Sequence, residues 1–126
     1  MENQVRIITT KRGYDNIIRG LKLFKSKKII EELINEKTCK FYGGIAFLKW
    51  DSSQNNKIVK QALITLINHS NSYKVCVIEG DMVNTYCNEV DCKKLPMPVI
   101  ECKINDDATI KKLENNTRKR GKKNGI

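Results

Sequence analysis

Apolar residues along the chain alternate between stretches with helical spacing and shorter runs that are apolar almost throughout, a pattern that predicts helices interleaved with buried strands. Ile17, Ile18, Leu21 and Phe24 share one helical face while Asp15, Asn16, Arg19 and Lys22 lie elsewhere, which predicts a first helix over residues 14 to 25. Ser26 is placed to cap a second helix, over 27 to 36. There Ile29, Ile30, Leu33 and Ile34 form the stripe, and Glu31 and Glu32 occupy early turns favoured by the helix dipole. Gly43-Gly44 introduces Ile45 to Trp50, a near-continuous apolar run expected of a central strand covered on both faces. The polar turn Asp51 to Asn56 leads into the cleanest helical stripe, Ile58, Val59, Ala62, Leu63, Leu66 and Ile67. Tyr73 to Ile78 is then a second buried strand, so residues 45 to 78 read as a right-handed parallel βαβ unit.

After Gly80 the periodicity weakens, and Met82 to Asn88 reads as a short helix. Pro96 and Pro98 bar helix from the next loop; Ile100, Cys102 and Ile104 then alternate with Glu101 and Lys103 as a half-exposed strand does. Asp106 or Asp107 is expected to cap a last helix carrying Ile110 and Leu113. At the other end, Val5, Ile7 and Ile8 precede Lys11 and Arg12, which suits an arm or an edge strand. The expected fold is α/β: a three-layer α/β/α sandwich with a small, mostly parallel sheet. An N-terminal arm over 1–12 precedes a single domain over 13–116, and a disordered basic tail covers 117–126.

Composition agrees with one soluble domain: 126 residues, 40% hydrophobic, with a mean hydropathy of −0.49. No run approaches the roughly 18 apolar residues of a membrane span, and Met1 to Arg6 lack the apolar core of a secretory signal. The expectation is a cytoplasmic protein with no membrane partner. Its five cysteines, Cys39, Cys76, Cys87, Cys92 and Cys102, are odd in number and expected as reduced thiols.

Charge changes the picture most. The formal net charge is +10. Arg118, Lys119, Arg120, Lys122 and Lys123 fall within ten residues that hold no acid, a density suited to a polyanion. A second group, Lys22, Lys25, Lys27 and Lys28, surrounds the joint between the first two helices, where lysines and free backbone N–H groups together attract anions. For chemistry the best carboxylates are Asp51, Glu79 and Asp81. They follow the two central strands and could hold Mg²⁺ for a nuclease or phosphotransfer reaction, although Asp51 and Asp81 also suit helix capping. A zinc site from His69, Cys87, Cys92 and Cys102 has only a loose Cys-x₄-Cys pair behind it, so no metal or other cofactor is expected. No nucleophile motif and no glycine-rich phosphate loop occurs, and Trp50 reads as core. A non-enzyme without a small-molecule substrate is the leading expectation, with the metal-dependent nuclease or phosphotransfer domain as the alternative.

Ile29-Ile30-Glu31-Glu32-Leu33-Ile34, Ile45-Ala46-Phe47-Leu48, Ala62 to His69, Tyr73 to Ile78, Cys92-Lys93-Lys94 and Val99 to Ile104 occur in the order typical of the kink-turn-binding superfamily of ribosomal proteins, and the chain is most similar to its eukaryotic small-subunit S-twelve family. That superfamily opens its RNA-contacting helix with Gly followed by Asn-Glu; this chain has Ser26-Lys27-Lys28-Ile29. The resemblance implies a structural constituent of the small ribosomal subunit, with ribosomal RNA and neighbouring small-subunit proteins as partners. Lys25, Lys27 and Lys28 would contact phosphates at the helix joint, Lys93 and Lys94 would do so before the third strand, and the tail cations would thread into adjacent RNA.

Overall fold

The computed structural model describes residues 3–23, 26–50, 64–65, 71–88, 95–100 and 104–124. In chain order these form β1 (Asn3–Thr10), α1 (Lys11–Lys22), α2 (Lys27–Leu33), β2 (Cys39–Tyr42), β3 (Ile45–Trp50), β4 (Tyr73–Glu79), β5 (Met82–Asn88), β6 (Val99–Ile100), β7 (Ile104–Asn105) and α3 (Asp106–Asn124). Five strands make one sheet in the order β2-β3-β1-β4-β5, and each neighbouring pair is antiparallel. β6 and β7 pair as a separate two-stranded hairpin.

This arrangement overturns the expected mostly parallel α/β/α sandwich. β3 and β4 do run in the same direction, because each is antiparallel to β1, but β1 lies between them. Ile7 faces Leu48 on one side and Val75 on the other. The segment expected as an arm or edge strand is therefore the middle strand. Its side chains explain why: Val5 and Ile7 point to one face and Ile8 to the other, and all three are buried. A strand apolar on both sides belongs at the centre of a sheet, and a crossover between two strands fixes their direction without saying whether they touch.

Two tight hairpins build the outer strands. Gly43-Gly44 joins the Tyr42–Ile45 pair, and Gly80-Asp81 joins the Glu79–Met82 pair. The first residue of each turn has positive φ, 65° at Gly43 and 57° at Gly80, as the hairpin turns matched to strand twist require. Met82 to Asn88 is consequently an edge strand rather than the expected short helix. Met82, Val83 and Tyr86 remain exposed on it, so no buried face marks its period in the sequence.

The helices begin where local hydrogen bonds dictate. Thr10 caps α1, accepting from the Gly13 N–H at 3.1 Å, so the helix starts at Lys11 instead of residue 14. Ser26 caps α2 as expected, but the helix stops at Leu33. At α3 the cap is Asn105, not Asp106 or Asp107: its Oδ1 accepts from the Ala108 N–H at 3.0 Å, and the two aspartates fill the first turn. The backbone of residues 117–124, expected as disordered tail, continues this helix. The expected helix around residues 57–67 lies outside the described residues except for Ile64 and Thr65, which are helical. The expected strand over 100 to 104 is represented by the two short strands β6 and β7, with residues 101–103 outside the described set.

Apolar side chains cluster on both faces of the sheet. On one, Val5, Ile7, Leu48, Trp50 and Val75 pack with Ile17 and Leu21 of α1 and Ile30 of α2. On the other, Ile8, Ile45 and Phe47 pack with Leu95 and with Leu113 of α3. Trp50 is 3% exposed, a core residue as expected.

Candidate nucleic-acid interface

The sequence after α2 turns sharply into β2. The Cys39 N–H donates to the Asn35 carbonyl at 2.9 Å, and the Asn35 N–H donates to the Thr38 hydroxyl at 2.9 Å, which sets Lys37 at the start of the strand. The Asn35 amide oxygen also accepts from the Lys37 N–H at 2.9 Å. The ladder then places Lys40 opposite Phe47, and the Lys49 N–H reaches the Thr38 carbonyl at 2.8 Å. Lys40 and Lys49 thus project on the face covered by α3.

Lys37, Lys40 and Lys49 line a shallow cleft of about 30 Å³, with the Tyr42 ring beside them and Phe47 and Ile110 beneath. None of these three ammonium groups pairs with a carboxylate among the described residues. A cleft this small suits the oxygens of one phosphate or sulfate; small organic substrates usually occupy sites of about 300 Å³ or more. Lys40 on β2, Lys49 on β3 and Lys37 in the preceding turn thus bring three positive charges to one cleft, which attracts an anion.

Around the edge of β2 the chemistry changes. Phe41, next along the strand, points to the α1 side and is 44% exposed. Its ring meets that of Tyr14 edge to face at 4.8 Å between centroids. The Lys11 Nζ lies 5.0 Å from the Tyr14 ring and 5.4 Å from the Phe41 ring, and it also pairs with Asp15 at 2.7 Å. Burial raises the Cys39 thiol to about 11, against a smaller opposing pull from Lys11. Cys39 is therefore a neutral thiol near neutral pH, and it takes no positive charge away from this edge. Burial likewise raises the Tyr14 phenol.

The cations singled out from sequence are distributed differently. Lys27 and Lys28 are exposed at the start of α2, a helix with no acid in its first turn. Arg118, Lys119, Arg120, Lys122 and Lys123 belong to the backbone of α3. α2 packs on the α1 side of the sheet through Ile30 and Ile34, and α3 packs on the opposite side through Ile110 and Leu113. Lys25, Lys93 and Lys94 lie outside the described residues. Sequence reasoning missed Lys37, Lys40 and Lys49. The available signal was the Gly43-Gly44 hairpin, which folds the strand carrying Lys40 back along the strand carrying Lys49.

The alternative chemistry finds little framework. Glu79 and Asp81 flank the Gly80 turn, both exposed, and Asp81 precedes a strand rather than a helix. The crevice of a parallel sheet, on which that reading depended, is not formed. Asp51, His69, Cys92 and Cys102 lie outside the described residues, and Cys87 is exposed on β5. Among the described residues no group of three or more His, Cys, Asp or Glu side chains is placed to hold a metal ion, and no helix is long and apolar enough to cross a membrane. The order of elements behind the ribosomal resemblance, opening with two helices, differs from the observed order, which opens with the central strand. Comparison with known proteins finds no matching family model, no matching curated protein and no matching solved structure.

Proposed function

We propose that this protein binds nucleic acid through Lys and Arg contacts to phosphates and performs no chemistry on it. The observation that carries this reading is the convergence of Lys37, Lys40 and Lys49 in one cleft beside α3, the helix whose last turns hold the basic run 118–123. Each phosphate neutralised releases condensed counterions, so affinity from such contacts depends steeply on salt and weakly on sequence. Ribosomal RNA within the small subunit is the particular partner that the sequence resemblance implies.

Fluorescence anisotropy with a labelled RNA across a salt series tests the coarser reading. The triple variant K37Q/K40Q/K49Q is expected to lower the slope of log affinity against log salt by about two units. An unchanged slope overturns the cleft as the contact surface. Co-sedimentation of the intact protein with small ribosomal subunits at moderate salt, lost at high salt, is the result expected of the ribosomal assignment; a profile confined to the top of the gradient overturns it.

A further inference from the structure

We propose that the partner is single-stranded and that Phe41, walled by Tyr14 and Lys11, stacks one of its unpaired bases; this rests on the nucleic-acid reading above. Among the described residues Phe41 belongs to neither apolar cluster and touches the α1-side one only through its edge-to-face contact with Tyr14. Phe41 is 44% exposed with the Lys11 side chain already beside its ring. Tyr14 packs against the α1-side cluster, and Lys11 pairs with Asp15 beside it. The Asp15 carboxylate offsets one charge locally, and the lysines of the cleft supply the remainder.

Geometry links this ring to the phosphate cleft. Lys40 and Phe41 are consecutive on an edge strand, so their side chains leave it on opposite faces and the cleft and the ring lie on the two sides of the β2 edge. A nucleotide lying across the edge of β2 can set its phosphate among Lys37, Lys40 and Lys49 while its base reaches over to Phe41. A base in a duplex cannot, because it is stacked between neighbours and paired. Exposed aromatics flanked by cations are the usual platform for single strands, where every base offers a face and sequence matters little.

The test uses the full chain with a 12-nucleotide single-stranded RNA carrying 2-aminopurine, and the duplex formed with its complement. The wild type is expected to prefer the single strand and to quench 2-aminopurine fluorescence on binding. F41A is expected to lose about tenfold in single-strand affinity and to lose the quench, with duplex affinity unchanged. F41W should restore both. K37Q/K40Q/K49Q should weaken both ligands. If F41A binds both RNAs as the wild type does, the stacking assignment is overturned while the phosphate cleft stands. If the wild type binds neither RNA, the nucleic-acid reading itself fails. Circular dichroism of F41A, a substitution at an exposed ring, separates loss of contact from loss of fold.

Discussion

Arg6 and Asp106, one hundred positions apart in the chain, meet in a two-point ion pair that ties the first turn of α3 to the central strand. The Arg6 Nε donates to Asp106 Oδ1 at 2.7 Å and Nη2 to Oδ2 at 3.0 Å. Nη1 donates to the carbonyls of Val5 and Trp50 at 3.0 and 3.2 Å, so a guanidinium on a side chain only 2% exposed has its donors occupied. By this pair α3 is held over the lysine cleft.

Removing one member should be worse than removing both. Asp106→Ala leaves a buried cation without its counter-charge and is expected to cost about 3 kcal/mol in urea denaturation, whereas Arg6→Met combined with Asp106→Ala should recover much of that loss. A single Asp106→Ala variant as stable as wild type would show that the pair does not hold the helix in place.

A second buried contact is poorly made. The Asn16 Nδ2 reaches Asn71 Oδ1 at 3.5 Å, both residues are buried, and Asn71 Nδ2 has no partner among the described residues. Replacing both by leucine removes two desolvated amides together and should leave the melting temperature unchanged or raised, while Asn71→Leu alone, which orphans Asn16, should lower it. Equal melting temperatures for the single and double variants would contradict this.

The three described cysteines should react in order of accessibility. Cys87 is exposed, Cys39 half-buried with its thiol raised to about 11, and Cys76 buried with its thiol also raised by burial. Iodoacetamide at pH 8, followed by peptide mass mapping, should label Cys87 first and Cys39 and Cys76 slowly. The same shift has a consequence for stability. Between the ordinary thiol value of 9.0 and about 11 the folded chain keeps the Cys39 proton that the unfolded chain loses, so stability is full below that window and falls as pH rises through it. Cys39→Ser should remove part of this alkaline decline; an identical decline in the variant would place its cause elsewhere.

The β4–β5 hairpin depends on Gly80. With φ at 57°, Gly80→Val forces a branched side chain into the left-handed region and should cost about 1–2 kcal/mol, with Gly80→Asn milder. Thermal melts of the two variants check the order, and a Val variant as stable as Asn would contradict it.

Much of the local structure was legible. The apolar run at Ile45 to Trp50 and the run at Tyr73 to Ile78 are strands because each is rich in residues suited to burial on a pleated surface. Ser26 was recognisable as a cap because a hydroxyl before an apolar helical stripe satisfies a free N–H. β5 was missed because an edge strand with both faces in water carries no alternation. Its turn, Gly80-Asp81, did carry a hairpin signal. The burial of Arg6 was not legible, because its partner Asp106 lies a hundred positions away. The candidate site was legible only in part: the cationic excess is a property of composition, whereas the cleft exists because a hairpin and a distant helix bring Lys37, Lys40, Lys49 and Ile110 together.

Short-range chemistry, then, set what each segment is: caps, turns and the period of burial act over four or five residues and can be read from the residues that make them. Which strands neighbour one another was a matter for the assembled chain. Strand direction and buried faces are the same whether β3 and β4 touch or admit β1 between them. The choice went to β1 because Val5, Ile7 and Ile8 require cover on both sides, and only the middle of the sheet supplies it.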